Sequence, residues 1–175
     1  MDILSHGLWG GVVFGRSNPK KYWSAFLFGI APDALSFGLL FTQNILGFGV
    51  RPDFSGGPPD PSTIPAYIHA LYNITHSIVI AAAVIGIVWF TRHMFSGEQV
   101  RKKLPFVMLA WPFHILVDIP THGAAFFPTP FLWPLADLRV NGIPWSNPWV
   151  WFPNLMLLAL AYGAWWLHRK RTRGT

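Results

Sequence analysis

"SIVIAAAVIGIVWF", residues 77–90, runs for fourteen residues without a charged side chain. A helix this apolar is hydrophobic on every side, so it either fills a large core or faces lipid. Composition decides between the two. Hydrophobic residues make up 52% of the 175 and charged residues only 11%, against about 25% charged in ordinary soluble domains. Ten Trp and fifteen Phe, many at the ends of apolar runs, suit the aromatic belts of a bilayer interface. The reading is one integral membrane domain over residues 1–175. The N-terminus shows no cleavable signal pattern, because it lacks a basic region and Asp2 and His6 interrupt its first turns. The absence of Cys excludes disulfides, thiolate metal sites and a Cys nucleophile.

Five apolar segments lie around that stretch: Ile3–Phe14, Tyr22–Leu46, Ile64–Trp89, Leu104–Ile119 and Trp149–Leu167. The first is short and Gly-rich, and the fourth contains Pro112 and ends at Pro120. The Gly/Pro-rich stretches Gly47–Pro65 and Gly123–Pro148 read as ordered loops, since Gly and Pro at that density break helices. The expected fold is all-α: a polytopic membrane helical bundle of about four to five transmembrane segments with two Gly/Pro-rich outer loops. Basic residues then orient it. The tail "HRKRTR" (168–173), the 92–103 loop (Arg92, Arg101, Lys102, Lys103) and the 16–21 loop (Arg16, Lys20, Lys21) favour the cytoplasm. The two long loops hold only Arg51 and Arg139 and fall outside. The assignments alternate without conflict if all five segments cross an inner (plasma) membrane, N-terminus outside and C-terminus cytoplasmic. Segment one, at about twelve residues, is the weak point and is open to a re-entrant reading. The net charge of +6 sits in these flanks, which favour anionic lipid and give no reason to invoke nucleic acid.

On this topology the polar residues of the apolar segments collect toward one leaflet. "HILVDIPTHG" (114–123) places His114, Asp118 and His122 four residues apart, a spacing that stacks side chains on one helical face. Pro120 interrupts that stripe, so His122 joins only if the turn folds back. His6 lies near the outer end of segment one, Asp33 midway along segment two, and His76 at the outer end of "SIVIAAAVIGIVWF". Ionisable groups at membrane depth cost about 2.5–3.5 kcal/mol each on insertion scales and are rarely idle. Imidazoles and carboxylates that meet can offset this by binding a cation. The candidate ligands are His6, Asp33, His76, His114, Asp118 and His122, enough for one or two divalent ions, with Zn foremost. Such ions lower the pKa of bound water and clamp an ester or phosphoryl oxygen, so no protein nucleophile is needed. Asp33, His76 and Asp118 are the candidate catalytic residues, with Tyr72, Thr75 and Ser77 as supporting or substrate contacts. Simpler readings stand beside these. Asp33 could cap a helix beginning after "APD", and His114 and Asp118 could merely hydrogen-bond to each other. His69, His93 and His168 read as core or interfacial residues.

"SHG" (5–7), "GIAPD" (29–33), "THS" (75–77), "HILVD" (114–118), "PTHG" (120–123) and "FLWP" (131–134) occur in an order that resembles the YdjM-like inner-membrane metal-dependent hydrolases. The similarity spans roughly residues 1–134 and rests on the ordered set, since each motif is short. It implies a multi-span membrane protein and a metal-dependent hydrolase, with His6, Asp33, His76, His114 and Asp118 at the motif positions. The H-x-x-x-D element is more distantly similar to zinc-dependent phospholipase C. Two departures stand out. Asp33 is followed by Ala34, Leu35 and Ser36, where the family often carries a second acid. Leu71 and Tyr72 stand where the family often has His and Arg. One ligand and a phosphate-binding Arg are then missing, and His69 or His122 is the candidate replacement ligand.

The expected function is a membrane-embedded hydrolase of an ester or phosphoester, in particular of a membrane lipid. Two other classes compete. A metal or proton transporter would need polar residues continuing to the inner face, where "IAAAVIGIVWF" and "LPFVMLAW" offer almost none. A non-catalytic membrane protein with a structural metal would show a closed coordination sphere. The sequence carries no signal for the oligomeric state.

Overall fold

Asp2 and Asn18 start the first two helices in the same way. Each side chain accepts the backbone N–H three residues on, from Ser5 and Lys21, and satisfies a donor the first turn leaves open. Helix α1 spans Ile3–Phe14 and α2 spans Pro19–Ile45. The computed structural model describes residues 1–48, 53, 59–95 and 104–173. Arg51, Arg101, Lys102 and Lys103, part of the charge asymmetry read from the sequence, lie outside the described residues. Four further helices follow: α3 (Ala66–Thr75), α4 (Ile78–Phe95), α5 (Ala110–Thr121) and α6 (Pro148–Arg173). Short 3-10 turns precede α3 and α5, and no strand occurs among the described residues.

Three helices, α2, α4 and α6, are long and apolar enough to cross a bilayer. Helix α1 and the combined segment Phe106–Thr121 are apolar but shorter. Ile87 and Phe90 on α4 and Leu157 and Leu160 on α6 are exposed, a surface suited to lipid tails and costly in water. Helix α2 is central, with α1, α3 and α5 packed on it, and α6 lies along α1. Lipid gives little hydrophobic drive for helix pairing, so close backbone approach and polar contacts must supply it. Gly7 and Gly11 on α1 and Ala25 and Gly29 on α2 are small residues four apart on the facing surfaces. A Cβ at Gly10 would stand 2.6 Å from the Ala25 carbonyl oxygen, and one at Gly29 2.5 Å from that of His6. On the other side of α1, Asn154 of α6 accepts from Trp9 Nε1 at 2.8 Å and donates to Ser5 Oγ at 2.8 Å.

The third apolar segment is two helices rather than one. Helix α3 stops at Thr75, where the His76 backbone turns out of the helix (φ −102°, ψ 23°). Helix α4 begins again at Ile78, with Ser77 Oγ accepting the Ile80 N–H at 3.2 Å. The loop after α5 holds the break open: the Phe131 carbonyl accepts the Ile78 N–H at 2.9 Å, and the Trp133 carbonyl accepts the Ser77 hydroxyl. That loop is as ordered as its composition suggests. It is pinned by Gly142 N–H to the His122 carbonyl (2.8 Å) and Ile143 N–H to the Pro120 carbonyl (2.9 Å), and it carries a cis Trp133–Pro134 peptide. Below it, Leu40, Ile64, Ile68, Tyr72 and Phe127 form a buried apolar cluster.

The Gly29 contact yields a direct test. Gly29→Ala should destabilise the protein by about 1–3 kcal/mol, because backbone rather than a flexible side chain must move. Gly38→Ala, on the same helix with nothing within 4 Å, should be neutral or stabilising by about 0.5–1 kcal/mol. Thermal unfolding midpoints of the two variants in one detergent check this, and equal midpoints would refute the close-packing account.

Candidate metal centre

Three elements deliver the site. The middle of α2 carries Asp33, the α3–α4 break carries His76, and α5 carries His114 and Asp118 one turn apart. One ligand atom from each of Asp33, His76, His114 and Asp118 lies within 4.8 Å of every other. His76 Nε2 stands 3.2 Å from His114 Nε2, 3.4 Å from Asp33 Oδ1 and 3.7 Å from Asp118 Oδ2. His114 Nε2 stands 2.9 Å from Asp118 Oδ2 and 3.9 Å from Asp33 Oδ1. Donors about 2.0–2.1 Å from a tetrahedral ion stand roughly 3.3–3.4 Å apart, so these separations suit one small cation at the centre. The side chains of His76, His114 and Asp118 have no exposure, and Asp33 is 10% exposed.

The surrounding contacts aim the nitrogens inward. His114 Nδ1 lies 2.7 Å from the Gly29 carbonyl, which can only accept, so Nδ1 carries the proton and Nε2 of the neutral ring keeps its lone pair. Thr75 Oγ1 holds His76 Nδ1 at 3.0 Å, and the Tyr72 ring stacks on His76 with centroids 3.8 Å apart. On the opposite side, His6 stacks on His114 at 3.5 Å. His6 Nε2 lies 2.9 Å from Asp118 Oδ1, and His122 Nδ1 lies 3.3 Å from the same oxygen. The Met1 amino group also contacts Asp118 Oδ1 and stands 3.2 Å from Thr121 Oγ1. Asp118 thus presents one oxygen to the four-atom group and the other to His6, His122 and Met1.

Asp118 Oδ2 and His6 Nε2 are both buried with no aligned hydrogen-bond partner, despite neighbours at 2.9 Å. Buried carboxylates and imidazole lone pairs without donors carry a heavy desolvation cost. A proton between the two imidazoles would join one pair of atoms. A divalent ion would join all four, and the donor set of two nitrogens and two carboxylate oxygens is one that Zn and related ions accept. The residues therefore fit a metal.

The structure brings together His6, Asp33, His76, His114, Asp118 and His122, with Thr75 behind His76. The reading of Asp33 as a helix cap does not hold, since α2 runs unbroken through Pro32 and places Asp33 mid-helix. Pro120 ends α5 within one residue, and the extended backbone at His122 (φ −118°, ψ 130°) turns its ring back toward Asp118. Tyr72 does not point its hydroxyl into the site: the hydroxyl donates to the Phe127 carbonyl at 2.8 Å, and the residue contributes its ring face instead. Ser77 serves the α4 terminus and the Trp133 carbonyl, not the cluster. His69 faces away, stacked on Phe127 with Nε2 3.0 Å from the Pro61 carbonyl, so it does not replace a ligand. The Gly29 carbonyl and Thr121 are the contributors that side-chain motifs miss. The signal for Gly29 is its place one helical turn before Asp33 in "GIAPD".

Thr75→Val keeps the side-chain shape but removes the His76 Nδ1 contact. It should weaken Zn affinity about 10–100-fold with little change in fold. Competition against a chromophoric chelator, with circular dichroism alongside, checks it; unchanged affinity would show that Thr75 does not orient the ring. No protein-family model matches the chain, and no curated protein or solved structure matches it, so the reading of this centre rests on its own geometry.

Proposed function

We propose that this protein is a membrane-embedded, metal-dependent hydrolase of an ester or phosphoester, with a lipid as its natural class of substrate. The observation that carries the reading is the buried convergence of Asp33, His76, His114 and Asp118 beside a cavity that Asp33 and His122 also line. A divalent ion bound there would polarise an ester or phosphoryl oxygen and acidify a water molecule. The chain's own residues do the remainder. Gly29 and Thr75 fix the imidazole orientations, and Asp118 supplies charge shared between two sets of partners. Asp33, the one member of the four with any side-chain exposure (10%), lines the cavity and would accept a hydrogen bond from a water molecule there. His6, His122 and Asp118 Oδ1 are the donors that would hold a second ion. The ordered motifs resembling the YdjM-like hydrolases support the same reading.

In this proposal α1, α2, the α3–α4 unit, α5 and α6 sit in an inner (plasma) membrane as four to five crossings, N-terminus outside. A structural metal is the second reading, and one observation favours it: four protein side chains already supply as many donors as a closed zinc site takes. The adjoining cavity favours catalysis, because zinc can add a fifth ligand from that side.

Metal analysis of purified wild type beside His114→Ala and Asp118→Ala decides the first point. The expected result is stoichiometric Zn in wild type, its loss in both variants, and chelator-sensitive hydrolysis of p-nitrophenyl esters or bis-p-nitrophenyl phosphate in wild type only. A folded, metal-free wild type would sink the proposal, and bound metal with no turnover would select the structural reading. Because the chain has no Cys, topology is testable with single-Cys variants. Asn147→Cys should react with an impermeant maleimide in intact cells and Ser17→Cys only after permeabilisation; the reverse pattern would invert the proposed orientation.

A further inference from the structure

Helix α1 is too short to cover α2. It has 12 residues against 27, about 18 Å against about 40 Å at the helical rise. The His6 carbonyl packs at Gly29, so α1 begins near the level of Asp33 and leaves the C-terminal half of α2 without that neighbour. The space beyond is a cavity of about 420 Å³, within the range of about 300–1,000 Å³ usual for small-molecule sites. At its inner end stand Asp33 and His122, both from the His/Asp cluster. Its wall along α2 is Phe37, Leu40 and Phe41, and Phe127 closes it from the loop after α5. Leu4 and Phe41, at the lips on α1 and α2, are both exposed. Exposed apolar lips on apolar helices open a cavity sideways toward lipid.

We infer that this groove holds an acyl chain of the hydrolase's lipid substrate, entering between Leu4 and Phe41 and lying against Phe37 and Leu40, with its ester or phosphoester linkage beside Asp33. The inference rests on the hydrolase reading and deepens it by assigning the groove that takes the lipid's acyl chain and the side from which it enters. The chemistry of the pocket suits an amphiphile: Asp33 and His122 of the cluster, with Asp2 and Asn44, are its polar side chains, and the rest of its lining is apolar. A water-soluble ester would leave those walls wet. A lipid tail covers them, and its lateral route avoids lifting the substrate out of the bilayer.

The test is photo-crosslinking of the full chain in lipid nanodiscs. Two probes are used, a phosphatidylglycerol carrying a diazirine at the end of one acyl chain and a diazirine fatty acid, with adducts mapped by mass spectrometry and metal content measured on the same samples. Adducts at Phe37–Phe41 and Phe127 should exceed those on the lipid-facing stretch Ile87–Phe90. Excess unlabelled lipid should compete for the groove adducts alone. Leu4→Trp, which narrows the exposed lip without touching the buried cluster, should reduce groove labelling several-fold while metal content stays unchanged. Labelling by both probes assigns a glycerolipid as the source of the chain, and labelling by the fatty acid alone assigns a free acyl chain. Non-saturable adducts no denser than those on Ile87–Phe90 would overturn the inference, even in a sample that binds metal and hydrolyses soluble esters. Saturable groove labelling in a metal-free protein would keep the groove and remove the hydrolase.

Discussion

Two carboxylates, Asp33 and Asp118, are buried among imidazoles within a bundle of apolar helices, and the arrangement holds only if their charge is met. In water such groups would be solvated. Here they are buried, so the nearby opposite charge must come from the protein's own termini and side chains or from a bound cation. The described lysines and arginines do not serve: Arg16, Lys20, Lys21 and Arg92 lie at helix ends, and Arg139, on the loop after α5, pairs with Asp137. The Met1 amino group meets one oxygen of Asp118, and the other close neighbours of the two carboxylates are imidazoles, of which His114 is held by the Gly29 carbonyl with its Nε2 lone pair facing the cluster. That electrostatic demand explains why residues from α1, α2, the α3–α4 break and α5 all converge on a single point.

Gly29 ties the fold to that point. Its missing side chain lets the α1 backbone at His6 approach α2, which brings the His6 ring onto His114. Its carbonyl, on the same residue, fixes the tautomer of His114. Helix packing and ligand orientation are therefore set together, and neither could drift without the other. The break at His76 acts similarly. A continuous helix would carry His76 on past the cluster, whereas the carbonyls of Phe131 and Trp133 hold the break and leave His76 at a helix end facing α5.

Much of the site is readable from sequence because topology acts on whole segments. The apolar runs and their basic flanks lead to the expectation that His6, Asp33, His76, His114 and Asp118 gather on one side, and the structure does bring them together; the four-residue spacing puts His114 and Asp118 on one face. What the sequence hides is local backbone. Pro32 looks like the end of a turn before an Asp cap, yet it lies inside α2, where tertiary packing of Ala25, Gly29 and Ser36 outweighs its lost N–H. The apolar stretch at 64–89 has no Gly or Pro at the break, so nothing local marks it; the carbonyls that stabilise it come from some fifty-five residues further on. Tyr72 reads as a polar contact from its type, while its hydroxyl is consumed by the Phe127 carbonyl and its ring is what matters. Long-range backbone hydrogen bonds of this kind leave no periodic trace.

The same geometry bears on the choice between a structural and a reactive centre. A structural site gains from burying every donor equally, because exchange then requires unfolding. Here the burial is uneven. His76, His114 and Asp118 are sealed by Tyr72, Gly29 and His6, whereas Asp33 keeps an exposed edge on the cavity side. The unevenness follows from the length of α1: a longer helix would have covered Asp33 and filled the groove with side chains. The mismatch between α1 and α2 instead leaves one side of the cluster facing a largely apolar space with exposed apolar residues, Leu4 and Phe41, at its lips. A chain that needed only a staple for its helices would have no physical reason to keep that side open. A chain that brings a lipid linkage to an ion would need it open in this direction.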